Sequence, residues 1–268
     1  LVHARRVDIV VRLQMRVAVR KGLRRPLDLV RWVQLLAKRE NTRAHEDLLK
    51  EAMEKHPDIG KGALCAAYGQ VLIELDNLNK AGQLLARCLE RSSSTAKKSV
   101  HHARLLTVKG LWEIRKGNLK NAGKYFRKAL EFDDSDSDAR HNLALVSFRL
   151  GQVDEALSHL KESIEQSADP EHYYLLGEVL DHNGDTAEAI DALSLAHEHL
   201  ELWSQAHSLR WKVPFLLGRL LARKRHYGRA QQALEQALDL DPGPAAHRQV
   251  LRHLVWVRQK GSVPRARK

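Results

Sequence analysis

Long apolar runs, cysteines and aromatic rings are all scarce in this chain, and each shortage excludes something. No run of 18 uncharged apolar residues occurs among the 268, so none can cross a bilayer as a helix, which takes about 20 such residues. Two cysteines, Cys65 and Cys88, offer none of the paired C-x-x-C spacing that a structural zinc requires. Both fall on predicted inward faces of one helix pair and read as buried free thiols, as in a reducing compartment, rather than as a disulfide, the alternative that this placement also allows. Aromatic residues make up 5% of the chain, which leaves few of the rings on which single-stranded nucleic acids stack. The motifs H-E-x-x-H, G-x-S-x-G and G-x-G-x-x-G and the Walker-type loop are also missing.

Fifteen histidines do not repair that lack. His101 and His102 are adjacent and diverge by about 100° on a helix, and His197 and His199 likewise point apart. No metal, cofactor, small-molecule substrate or reaction is therefore expected. The chain opens on Leu1 and not methionine, as expected of a fragment or trimmed chain, so a missing leader or anchor says nothing.

What is present is a repeat. Between Leu143 and Ser163, two apolar helical faces meet across Gly151: Leu143, Val146 and Leu150 before it, and Val153, Ala156, Leu157 and Leu160 after it. This is a helix, a tight turn and a second helix. Gly117, Gly151 and Gly184 stand 34 and 33 residues apart, and each is followed five residues later by Ala122, Ala156 or Ala189. Seven residues before each turn come Gly110, Ala144 and Gly177, and twelve after it Ala129, Ser163 and Ala196. The same register runs through Leu217, Gly218, Tyr227, Ala230, Ala237 and Pro242, and less cleanly through Gly69, Leu78, Ala81 and Cys88.

This pattern resembles the tetratricopeptide repeat, a 34-residue helix-turn-helix with small residues where its helices touch. The resemblance implies an all-α fold: a right-handed superhelical solenoid of antiparallel helix pairs, five to six repeats with terminal helices. Units are expected to begin near residues 25, 62, 103, 137, 170 and 211, filling 25–242. A basic amphipathic helix over 1–24 caps the array at one end, with Val7, Val10, Val11 and Val17 in its stripe. A further helix over 243–260 closes the other end through Ala246, Val250, Leu254 and Val257, and the basic tail 261–268 reads as disordered. The steps between recognisable units are 41, 34, 33 and 41 residues. Seven extra residues bring a helix back to within about 20° of its phase, so long helices are expected near Thr95–Lys116 and Ser204–Lys224.

Local signals sharpen the boundaries. The acidic string Asp133 to Asp138 lacks the glycine and closing glutamate of a calcium loop and reads as a loop with a capping first turn. Asp169-Pro170 reads as an N-cap followed by proline at the first helical position.

In the family, the first helices of successive pairs line a concave surface that binds a peptide or helix of a partner protein. Carried onto this sequence, that register supplies Arg104, Thr107, Leu111 and Arg115, then His141, Asn142, Leu145, Phe148 and Arg149. Tyr174 and Glu178 follow, and then Lys212, Phe215, Arg219 and Arg223. The apolar members would anchor the partner and the arginines would pair its acids. Some family members clamp a C-terminal carboxylate through lysines, asparagines and an arginine on three first helices. Here only Asn142 matches, with Thr107, Leu111, Glu171 and Leu175 at the other places, which argues against that partner class.

Formal net charge is +12, unevenly spread. Residues 1–61 carry 15 basic and 8 acidic side chains, 93–130 carry 10 and 1, 131–203 carry 3 and 18, and 204–268 carry 14 and 3. Charge blocks of this kind govern association, not fold. Self-association through the opposite blocks is one expectation. A weaker alternative to the protein scaffold is binding of nucleic acid or an anionic membrane surface through the basic ends. The expected location is the cytoplasm, or the cytoplasmic side of a membrane assembly.

Overall fold

A computed structural model describes residues 46, 49, 50, 53, 61–93, 100–199 and 210–262. The expected helix over 1–24, most of the unit near residue 25 and nearly all of the tail lie outside the described residues. Every regular element among the described residues is an α-helix. The chain divides into two compact units, Leu1–Leu150 and Gly151–Lys268.

In the first unit, α1 (Lys61–Glu74) pairs with α2 (Leu78–Ser93), α3 (Val100–Arg115) pairs with α4 (Leu119–Phe132), and α5 (Ser137–Arg149) packs on α4. The first helices α1 and α3 also lie against one another. In the second unit, α6 (Val153–Gln166) packs on α7 (Pro170–Asn183), which pairs with α8 (Thr186–Glu198). Then α9 (Lys212–Arg223) pairs with α10 (Tyr227–Asp239), and α11 (Pro244–Gly261) covers α10.

The small residues explain how close the pairs come. A Cβ on Gly110 would lie 2.5 Å from Phe126 Cε1, and one on Gly177 would lie 2.5 Å from Leu193 Cγ. Glycine in a helix interior costs about 1 kcal/mol relative to alanine. Here it lets a large apolar side chain lie on bare backbone: Phe126 and Leu193 are fully buried, each contributing on the order of 2 kcal/mol by burial. On the second helices Ala81, Ala122, Ala156, Ala189 and Ala230 are all fully buried.

The turns use the left-handed region. Gly117, Gly151 and Gly184 have φ of 80°, 79° and 96°. The turn after Gly117 closes with Asn118 N–H donating to the Glu113 carbonyl, and that after Gly184 with Asp185 N–H donating to the Leu180 carbonyl, the hydrogen bonding of a Schellman-type helix end. The pairs without a turn glycine do the same with ordinary residues, Asp76 at φ 60° and Arg225 at φ 63°.

Both cap readings hold. Asp136 accepts from Ala139 N–H at 2.9 Å, Asp133 accepts from Ser135 Oγ at 2.7 Å, and Asp169 accepts from Glu171 N–H at 2.9 Å with Pro170 next to it.

Two expectations need correction. The thiols of Cys65 and Cys88 are not free: they form a disulfide across α1 and α2. Cys65 corresponds in register to Leu106 and Tyr173, and Cys88 to Ala129 and Ala196. Those equivalents share the hydrophobic clusters that join first and second helices, so the disulfide replaces an ordinary apolar contact at that crossing. Nor is there a continuous helix from Ser204 to Lys224. Arg210 and Trp211 form a turn and α9 begins at Lys212, because Pro214 lacks an N–H and fits only within the first turn. The segment 200–209 is outside the described residues, as is 94–99 ahead of α3, where the other long helix was expected to start.

Candidate functional site

Each unit carries its own first-helix surface. In the first unit the register residues split by role. Thr107 is 5% exposed, and its hydroxyl donates to the Ala103 carbonyl at 3.2 Å and to Asp136 Oδ2 at 3.1 Å. It ties α3 to the loop before α5 and is consumed in the fold. Leu111 is half-buried against the clusters around Leu105 and around Phe126, so it packs the array. Arg115 forms an ion pair with Asp76 at 3.2 Å. Asn142 donates from Nδ2 to the Asp138 carbonyl at 2.7 Å.

The other register residues of this surface are basic side chains and half-buried apolar groups. Leu145, Phe148, His141 and Arg104 are all half-buried, and Arg149 is exposed at the end of α5. Arg149 makes no ion pair among the described residues.

One arrangement here escaped the sequence reading. Trp112 donates from Nε1 to the Leu78 carbonyl at 2.7 Å, and the Lys109 ammonium lies 3.5 Å from its ring centroid, with Lys116 at 4.6 Å. Burial holds the Lys109 ammonium below the usual lysine range, while Glu113 acts the other way. The only advance signal was the spacing of 109, 112 and 116 on one helical face.

In the second unit several register residues engage neighbours on the same surface. Tyr174 donates from its hydroxyl to Glu178 Oε1 at 2.6 Å. Burial, then the Glu178 carboxylate, raise the phenol well above its ordinary range, with Arg219 opposing. Arg219 also lies over the Phe215 ring at 5.7 Å, and Arg223 pairs with Asp181. Phe215 is 6% exposed, with His253 edge-on at 5.3 Å and Trp211 at 5.8 Å, so it belongs to the core. Lys212 is half-buried at the start of α9. Among the described residues no group of three or more His, Cys, Asp or Glu could hold a metal ion, and no helix is long and apolar enough to cross a membrane.

Comparison with known proteins agrees with this architecture. The family model described as "Anaphase-promoting complex, cyclosome, subunit 3" matches residues 115–196, and that described as "Tetratricopeptide repeat" matches residues 215–267. The two segments together make up half of the chain. A search of curated protein sequences returns no match.

Among solved structures, a chain of the APC/C hetero-tetramer Cut9-Hcn1 is similar at a TM-score of 0.68 and 14% identity, over 91% of this chain and 46% of that one. The present chain thus spans about half the length of that relative. Pseudomonas aeruginosa pilF is similar at 0.61 and 17% identity, over 90% and 98% of the two chains. YrrB, described as a TPR protein with an unusual peptide-binding site, is similar at 0.50 and 22% identity, over 76% and 96%. At these identities the likeness is one of fold. With the small-residue crossings, the left-handed turns and the two matching segments, the chain belongs to the tetratricopeptide-repeat family.

Proposed function

We propose that this chain is a non-catalytic scaffold that holds an acidic, partly apolar peptide or helix of a partner protein on the first-helix surface of its first unit. The observation that carries the reading is the setting of Arg149 on α5. In the second unit Arg223 is neutralised by Asp181, and Arg219 lies over the Phe215 ring. In the first unit Arg149 makes no ion pair among the described residues, beside half-buried Leu145 and Phe148. Apolar anchors flanked by an uncompensated guanidinium suit a segment that brings its own carboxylates.

The test is selection of peptides from a random display library on the purified chain, followed by titration of the selected sequences. The expected outcome is enrichment of acidic residues interleaved with apolar ones. Phe148→Ala and Arg149→Glu should each weaken binding about tenfold while helical content by circular dichroism stays unchanged. Selected peptides of no particular charge, or binding indifferent to both substitutions, would remove this surface as the site.

A second reading has one observation in its favour. On α11, Leu251, Val255 and Trp256 are 39%, 52% and 44% exposed beside exposed Arg248 and Arg252, a basic and apolar face suited to an anionic membrane surface. It predicts co-sedimentation with vesicles rich in acidic lipid that is lost at high salt and with Trp256→Ala.

A further inference from the structure

The outer helices carry a feature that this reading does not use. On α4, Lys120, Lys124 and Lys128 are exposed and lie four residues apart, so they form one row about 12 Å long. On α8, Glu188, Asp191 and Glu198 are exposed at spacings of three and seven, a row about 15 Å long, with the 40% exposed Leu195 between them. In the repeat register the two rows overlap on the second helix and share one position. Lys120, Lys124 and Lys128 follow Gly117 by 3, 7 and 11 residues, and Glu188, Asp191 and Glu198 follow Gly184 by 4, 7 and 14.

None of the six makes an ion pair among the described residues. Isolated exposed pairs contribute little. Rows of three unpaired like charges are different, because they add into a field that a matching row can satisfy at several points together.

We infer that the lysine row of α4 in one copy of this chain docks on the acidic row of α8 in a second copy. The occupant is argued from complementarity: opposite sign, similar length and overlapping places on the repeat. The contact is heterologous, joining the first unit of one copy to the second unit of another. It uses the second helices, so it leaves the first-helix surface open and stands independently of the function proposed above.

The test is sedimentation velocity on the full chain with circular dichroism as the folding control. At about 50 mM salt the weight-average mass should be about twice that of one chain or more, and at about 500 mM it should fall to one chain, since the Debye length shrinks several-fold. Lys120→Glu/Lys124→Glu/Lys128→Glu should be monomeric at low salt, and so should Glu188→Lys/Asp191→Lys/Glu198→Lys. Mixing the two triple variants should restore association, because each now offers the row the other needs. A monomeric parent chain at low salt, or a mixture that stays monomeric, overturns the inference. So would lysine reversal that leaves self-association unchanged and abolishes only the binding of a duplex DNA oligonucleotide.

Discussion

Arg225 shows what a single residue contributes to this fold. It holds φ at 63°, a region that costs a side-chain-bearing residue roughly 1–2 kcal/mol, while its N–H closes the helix by donating to the Ala222 carbonyl at 3.0 Å. Arg225→Gly should therefore stabilise the second unit by about 1 kcal/mol, and Gly184→Ala should destabilise it by about the same. Thermal unfolding of the two variants checks both signs. The sequence advertised three turns through their glycines, but Asp76 and Arg225 carry no such mark. Their backbone is set by the helices on either side and not by their own preference.

Tyr174 makes a residue-scale prediction in pH. An unfolded chain releases the phenol proton near pH 10, whereas burial and Glu178 keep it on the folded chain to higher pH. The unfolded state then binds fewer protons, so the stabilisation is complete below about pH 10 and is lost as pH rises beyond it. Denaturant midpoints between about pH 8 and 11 should fall for the parent chain and fall less steeply for Tyr174→Phe.

At the scale of the helix pair, the crossings dominate. Gly177→Ala would place a methyl 2.5 Å from Leu193 Cγ and should cost about 1–3 kcal/mol by overpacking. Combining it with Leu193→Ala should be less harmful than the sum of the two, a coupling that a double-mutant cycle measures. These crossings were legible because small residues recur at a fixed period.

The cross-link between α1 and α2 was not legible. The register places the two thiols, 23 residues apart, on facing sides of one helix pair, but buried apolar residues fill the same places in the other pairs, so nothing along the chain marks them as bonded. Closing a loop of that length stabilises by about 3 kcal/mol. Reduction, or Cys88→Ala, should therefore raise hydrogen exchange first in residues 61–93. Phe215 was misjudged for a related reason: the register counts neighbours within the array, and it is His253 of α11, outside the repeat pattern, that covers the ring.

At the scale of the whole chain, the charge blocks read from the sequence persist as surface. Acids cluster on the outer faces of α6 and α8, and lysines on α4. Sequence counting could find the blocks but not which helix face bears them, since that depends on which stripe each pair buries. The last helix closes the second unit through Val250, Leu254 and Val257, all 3% exposed or less. Leu254→Ala should cost about 2–4 kcal/mol and lower the unfolding temperature of that unit.

Leu251 sets a limit on extending that end. It follows Pro244 by seven residues, as Gly177 follows Pro170, so a branched side chain stands where another pair has bare backbone. A partner helix laid there could not settle to the depth seen beneath Gly177. A helix pair built on α11 to that depth would need a small residue at 251, glycine or alanine, as Gly110, Ala144 and Gly177 supply in the other pairs.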